Sequence, residues 1–262
     1  MTESMFRRVL LTNDDGIDAP GLAVLHEVAS QLSDDVWVVA PSQDQSGISH
    51  ALSLHDPLRV YQHGTKRFAV NGTPGDCVAI AARHILRDAQ PTLVLSGINR
   101  GANLGVETMF SGTVGAAMTA MLLGLPAIAL SQSFGRGREV PWATARALAP
   151  DIIATLASRP LPEPACLNVN FPDCAPEDAG ALKATTQGRG FLRDIEVVTR
   201  DDMRRLSYHW LHLQRDHAGD DEGTETAAIA ANHVSVTPLS FGRTNPGIQD
   251  WLINQGIAAA WA

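Results

Sequence analysis

The sequence predicts an α/β protein built on a doubly wound, mostly parallel β-sheet, and three stretches carry that expectation. Val9-Leu10-Leu11 is a short apolar run that delivers Thr12-Asn13-Asp14-Asp15 into a glycine turn at Gly16. Leu22, Leu25, Ala29 and Leu32 then recur at helical spacing, with Asp18 and Pro20 as start signals. Val36-Trp37-Val38-Val39-Ala40 reads as a second buried strand, stopped by Pro41. Strand, helix, strand is the opening of a parallel sheet with helices on its faces.

The elements that follow extend the pattern. Ser42 to His50 is a polar loop after the second strand, expected to lie beside the acidic turn because parallel strands end side by side. Leu52-Ser53-Leu54, Leu58 to Tyr61 and Phe68-Ala69-Val70 have period-two character, expected as a β excursion. Thr73-Pro74-Gly75-Asp76 reads as a helix start with a short capping box. Pro91 to Ser96 is a buried strand that runs into the glycine and amide loop Gly97 to Gly105. Ser111 is an N-cap for a helix of small residues that Gly124 and Pro126 terminate. Ala127 to Ser131 and Leu167 to Pro172 are further strands, with a helix over Thr144 to Leu156 between them. From about Ala175 the strands are separated by charged, glycine-bearing loops. The expectation is one domain over 1–262, with an α/β core at 1–174, a β-rich extension at 175–240 that arches off it, and a C-terminal segment at 241–262 whose short helix around Trp251-Leu252-Ile253 docks back.

Composition narrows the function classes. Of 262 residues, 45% are hydrophobic and 18% charged, which supplies a real core and excludes a wholly disordered chain. A net charge of −8 argues against a nucleic-acid polymer as partner, since phosphate backbones call for clustered Lys and Arg. A small anion remains compatible where a metal or a helix terminus supplies positive charge. Cys77, Cys166 and Cys174 make an odd count without zinc spacing, so a reducing, cytoplasmic setting is expected. No signal-peptide pattern opens the chain and its longest apolar run, Met118 to Leu123, is too short to span a bilayer, so no membrane partner is expected. Dinucleotide and P-loop fingerprints and the nucleophile elbow are missing.

Chemistry concentrates after the strands. In an open α/β sheet, ligands bind outside the carboxyl ends of the strands. Asp14 and Asp15 are adjacent carboxylates at such an end, and like charges so placed call for a cation. Hard oxygen donors suit Mg²⁺, Mn²⁺ or Ca²⁺. Asn99 follows another strand and offers a neutral oxygen, and the loop with Ser46 offers hydroxyls. The Ser111-Gly112-Thr113 helix start has free N–H groups of the kind that hold phosphate. Taken singly, each feature also fits a turn, a cap or a solvated loop. Together they form the constellation for metal-assisted hydrolysis of a phosphate ester.

Several ordered motifs carry a family resemblance. Leu11-Thr12-Asn13-Asp14-Asp15-Gly16 with Ala19-Pro20-Gly21, Val39-Ala40-Pro41 with Gln45-Ser46-Gly47, Gly72-Thr73-Pro74 with Asp76-Cys77, Ser96-Gly97-Ile98-Asn99 with Gly101 and Asn103-Leu104-Gly105, and Ser111-Gly112-Thr113-Val114 with Ala116-Ala117-Met118 resemble the SurE family of stationary-phase survival proteins. Asn168 to Pro172 and Val234 to Leu239 extend the likeness over most of the chain. The resemblance implies a Rossmann-like three-layer α/β/α core with a β extension used in assembly as a homodimer or homotetramer. It implies a phosphatase acting on nucleoside 5′-monophosphates and often 3′-monophosphates, with some action on short polyphosphate, and one divalent ion per subunit, Mg²⁺ or Mn²⁺. Carried over by position, the metal ligands are Asp14, Asp15, Ser46 and Asn99, and Asn103, Ser111, Gly112 and Thr113 line the phosphate pocket. Asp14 and Asp15 are the catalytic pair, with Asp14 the candidate for activating water. One departure is visible, Glu225 where the family pattern calls for Asp, and it is expected to shape the pocket rim or an assembly contact.

Two other classes compete with that reading. A receiver-type signalling domain needs an Asp ending its third strand, and the strand ending at Ser96 offers none. A non-catalytic module that senses metal or nucleotide with the same cleft is not separated from an enzyme by residues alone.

Overall fold

The structure is a computed structural model and describes residues 4–135, 137–162, 165–216 and 221–256. β1 (Val9–Thr12) is buried along its whole length, with Leu10 turned to one hydrophobic core and Val9 and Leu11 to the other. A strand buried on both faces is the mark of a parallel sheet covered on both sides by helices. α1 (Pro20–Ala29) starts with Pro20 in its first turn behind Ala19, so Asp18 is not its cap. It buries Leu22, Leu25 and Val28 against the sheet, each a gain of about 1.5–3 kcal/mol over exposure. β2 (Val36–Pro41) includes Pro41 as its last residue.

The β excursion is the hairpin β3 (Val60–Gly64) and β4 (Arg67–Val70). Leu52 to Leu54 forms no strand, because neighbouring backbone is taken by the next helix start: Ser53 N–H donates to Asp76 Oδ1 (3.0 Å) and Thr73 Oγ1 donates to the Ala51 carbonyl (2.7 Å). That helix, α2 (Pro74–Ile80), has the expected box, with Asp76 N–H on Thr73 Oγ1 at 3.1 Å and Thr73 N–H on Asp76 Oδ2 at 2.9 Å. The core continues with β5 (Leu93–Arg100), α3 (Gly112–Leu122), β6 (Ala127–Gln132), α4 (Trp142–Ala157) and β7 (Cys166–Phe171).

Beyond residue 174 the chain follows β8 (Gly180–Ala184), β9 (Leu192–Asp201), β10 (Ser207–Arg215), α5 (Glu225–Ala230), β11 (His233–Leu239) and α6 (Pro246–Asn254). Among the described residues the main sheet has the order β3-β4-β2-β1-β5-β6-β7-β11-β8. The run from β4 to β7 is parallel throughout, while β3 and β11 are antiparallel to their inner neighbours. α1 and α4 pack on one face and α2 and α3 on the other, giving three layers.

Two expectations for the C-terminal third need correction. β8 and β11 complete the central sheet, so within 175–240 it is the antiparallel β9–β10 hairpin that stands apart as its own sheet. Their pairing is with β7, far away in sequence, which a local reading of strand character does not see. The terminal helix exists as α6 and is capped by Asn245, yet none of its residues is buried, so it does not dock back on its own chain. Residues 257–262 of that segment lie outside the described residues.

Candidate active site

From β1 the chain builds outward through β2 to β4, then crosses back to add β5, β6 and β7 on the other side. The point of reversal lies between β1 and β5, and such a switch point opens a crevice at the carboxyl ends of the strands. Asp14 and Asp15 leave β1 there, and Asn99 and Arg100 end β5 beside them.

Hydrogen bonds tie three segments to the end of β1 at this point. Asp14 is buried, and its Oδ1 accepts the Thr113 hydroxyl from the first turn of α3. Its carbonyl accepts Gln45 N–H at 2.8 Å, which brings the polar loop after β2 alongside, as expected. Asp15 Oδ2 accepts Arg100 N–H at 3.3 Å. Ser46 is therefore one residue from a contact of Asp14, and Asn99 one residue from a contact of Asp15. Ser46 sits exposed in an Asx turn, its N–H and hydroxyl both donating to Asp44 Oδ1 (2.7 and 2.6 Å). Asn99 donates through Nδ2 to the Gly101 carbonyl at 2.8 Å, which turns its amide oxygen the other way.

The helix start is shaped around the carboxylate. Ser111 caps α3 by accepting Val114 N–H at 3.1 Å, as its sequence predicts. A Cβ on Gly112 would stand 2.7 Å from Asp14 Cβ and 3.0 Å from its Oδ2, so only glycine allows this approach. The positive end of α3 and the Thr113 hydroxyl thus already serve Asp14, a use of Thr113 that the family pattern does not assign. Asn103 is held over the neighbouring strands: its Nδ2 donates to Ser131 Oγ (2.8 Å), its N–H to Asn170 Oδ1 (2.8 Å), and its carbonyl accepts Asn168 Nδ2 (2.8 Å). Asn168 and Asn170 were visible as polar residues in a buried strand, but their common partner lies 65 and 67 residues away.

Burial, opposed by the Thr113 hydroxyl and reinforced by the Asp15 charge, pushes the Asp14 carboxyl up to about 6. Burial also raises Asp15, against the Arg100 N–H and with the nearby Asp44 charge adding to the rise. Two desolvated carboxylates side by side are stabilised as anions by a cation in reach. Among the described residues no three His, Cys, Asp or Glu side chains are grouped to hold a metal, and the residues that could hold one here offer two carboxylates with hydroxyl and amide oxygen. That donor set is all hard oxygen and fits Mg²⁺ or Mn²⁺ rather than a thiophilic ion. Cavity size alone does not find the site. A cavity of about 580 Å³ lies at the opposite edge of the sheet, lined mostly by apolar residues such as Leu93, Met121, Ile128 and Leu161, with Thr92 and Arg159 as its polar side chains.

Comparison with known proteins matches this architecture. The family model described as survival protein SurE matches residues 9–194. The chain belongs to the SurE family. It is 59% identical over 244 residues to 5′-nucleotidase SurE 1 of Burkholderia lata, covering 93% of this chain and 94% of that one. The 5′-nucleotidase SurE of Bradyrhizobium diazoefficiens is 49% identical over 249 residues, covering 94% and 98%. Among solved structures, the SurE protein of Aquifex aeolicus superposes with a TM-score of 0.80 at 35% identity, covering 94% of this chain and 98% of that one. The SurE fold is therefore shared over nearly the whole length.

Proposed function

We propose that this SurE chain is a cytoplasmic, metal-dependent phosphatase that hydrolyses nucleoside 5′-monophosphates to nucleoside and phosphate. The observation that carries the reading is the pair of buried Asp14 and half-buried Asp15 at the switch point, with the Gly112 start of α3 pressed against Asp14. The names of the relatives from Burkholderia lata and Bradyrhizobium diazoefficiens support the substrate class.

Asp14, Asp15, Ser46 and Asn99 would hold one Mg²⁺ or Mn²⁺, which when bound supplies Lewis-acid polarisation of the phosphoryl oxygens. Around it, the chain's residues divide the work. Ser111, Gly112 and Asn103 receive the phosphoryl group at the start of α3, where N–H groups and the helix dipole favour an anion. Thr113 fixes the Asp14 carboxylate through Oδ1. Asp14 Oδ2, the oxygen it leaves, takes the proton from the attacking water. The same geometry, with products held and no turnover, describes the sensing module.

We also propose that the working form is a homodimer or homotetramer assembled through β9–β10 and α6. An isolated two-stranded hairpin is marginal in water, and this one presents Trp210 at 62% and Leu211 at 71% exposure. A second copy of the same chain, with the same exposed apolar residues, is the occupant we assign.

Phosphate release from 5′- and 3′-nucleoside monophosphates and tripolyphosphate, each with Mg²⁺ or Mn²⁺, tests the function. Release from the 5′-esters is expected, and the 3′-ester and polyphosphate arms set its breadth. Tight nucleotide binding with no release from any of them would favour the sensor.

A further inference from the structure

Asn103 and Ser111, which stand at either end of the proposed phosphate pocket, are joined by Leu104 and a 3₁₀ turn over Gly105–Met109. A turn of this kind is a short, weak element by itself, so its position is set by what holds it. Three groups from the distant segment 187–225 do so. Glu225, fully buried at the start of α5, accepts Gly105 N–H on Oε1 (2.6 Å) and Gly188 N–H on Oε2 (2.8 Å). Gln187 Nε2 donates to the Gly105 carbonyl (2.7 Å) and to Thr108 Oγ1 (2.8 Å). Val106 N–H donates to the Arg189 carbonyl at 3.2 Å. Gly105 and Gly190 meet so closely that a Cβ on Gly105 would stand 2.2 Å from Gly190 N. From the far end of the turn, the Phe110 carbonyl accepts Ser49 N–H (3.0 Å) and the Thr108 carbonyl accepts Ser111 N–H (3.4 Å).

We propose that Glu225 is a positioning residue for phosphate binding, acting through Gly105 to set where Asn103 and Ser111 stand. Its carboxylate is matched to two backbone donors at once, a strong and directional arrangement that a neutral amide does not reproduce. Gln at this position offers one acceptor and turns its NH₂ towards the second N–H. Asp keeps the charge but is one methylene shorter, so it reaches one donor well and the other poorly. Glu225 makes no hydrogen bond to Asp14, Asp15, Ser46 or Asn99, and its influence on the metal site is correspondingly small.

The inference rests on the proposed phosphate pocket, and the test separates the two. Inorganic phosphate serves as the probe, measured as its inhibition constant against 5′-AMP hydrolysis, together with KM, kcat and the Mn²⁺ activation constant, in wild type, Ser111→Ala, Glu225→Gln, Glu225→Asp and Gln187→Ala. In Glu225→Gln the phosphate inhibition constant and KM are expected to rise together by about tenfold, with the Mn²⁺ constant within about twofold of wild type. Glu225→Asp should recover part of that loss. Gln187→Ala, at an exposed position that leaves the core untouched, should move the same two constants in the same direction by about threefold. A folded Glu225 variant whose phosphate constant and KM are unchanged overturns the proposal, as does parallel loss of Mn²⁺ and phosphate affinity. Should Glu225→Gln not fold, unchanged constants in both Glu225→Asp and Gln187→Ala overturn it equally. If Ser111→Ala leaves the phosphate constant where it was, the pocket itself is misplaced and the proposal falls with it.

Discussion

The crevice between β1 and β5 and the exposed arm elements, the β9–β10 hairpin and the helix α6, are opposites in how they are finished. At the crevice, the carboxylates, amides and hydroxyls of four loops are engaged within one chain, down to a glycine that makes room for Asp14. On the arm, Val197, Trp210, Leu211, Trp251 and Ile253 point large apolar surfaces at solvent. One region is a polar arrangement built within the chain, with the buried Thr12 Oγ1, Asn13 Oδ1 and Ser96 Oγ left without partners among the described residues. The other is an uncompleted apolar one, and apolar surface of that extent calls for a protein partner. A physical link between the two is the bidentate pair of Arg215, at the end of β10, with Glu107 in the turn before α3, its Nη2 2.8 Å from Oε2.

That contrast is sharpest if the arm is damaged while the crevice is left alone. Trp210→Glu with Leu211→Glu places a charge on each exposed face of β10 and is expected to dissociate the assembly, read as a shift in solution mass by light scattering. Because the crevice is built within the chain, thermal stability of the core should change little and 5′-AMP hydrolysis should persist, reduced by no more than about tenfold through the Glu107 link. An unchanged mass would remove the arm from the assembly, and complete loss of activity in a folded protein would mean that the crevice is not self-sufficient.

A smaller effect separates both regions from the ordinary surface. Burial works to raise Asp35, but the Lys66 ammonium at 2.6 Å, the Arg8 guanidinium and the Trp37 N–H outweigh it and hold the carboxyl below its usual range. A lowered folded value means the stabilisation is fully present above the unfolded carboxyl pKa and is lost as pH falls through the folded one. Asp35→Asn should therefore cost at most about 1 kcal/mol near neutral pH and flatten the acid limb of the unfolding curve, with hydrolysis untouched. A loss of several kcal/mol at neutral pH would show that this cluster is more than a surface pair.

What the sequence makes legible here is what a few adjacent residues decide. The Thr73 and Asp76 box, the Ser111 cap and the acid-bearing end of β1 are each specified within four or five residues, and each stands where it was expected. The parallel core follows from the alternation of buried strands and helices. Long-range pairing is where local reading fails: β8 and β11 join the sheet through β7, and Leu52 to Leu54 gives up a strand to the α2 cap. The site shows the same division. The positions of Asp14 and Asp15 are local, but the grip of Thr113 on Asp14 spans 99 residues and that of Glu225 on Gly105 spans 120. A carboxylate in a late, glycine-bearing loop gives no sign in the sequence that it will be buried against a turn so far upstream.

The central claim is that two carboxylates at the switch point hold the ion on which hydrolysis depends. Its most direct test is calorimetric titration of Mn²⁺ into metal-stripped wild type and Asp15→Asn, paired with 5′-AMP hydrolysis of the same samples before and after Mn²⁺ is restored. The expected result is one ion bound per wild-type chain with activity returning in step, and in Asp15→Asn a folded protein with weak or no Mn²⁺ binding and hydrolysis down by about a thousandfold. Full hydrolysis by the stripped wild type, or an Asp15→Asn variant that binds Mn²⁺ and turns over like wild type, would contradict it.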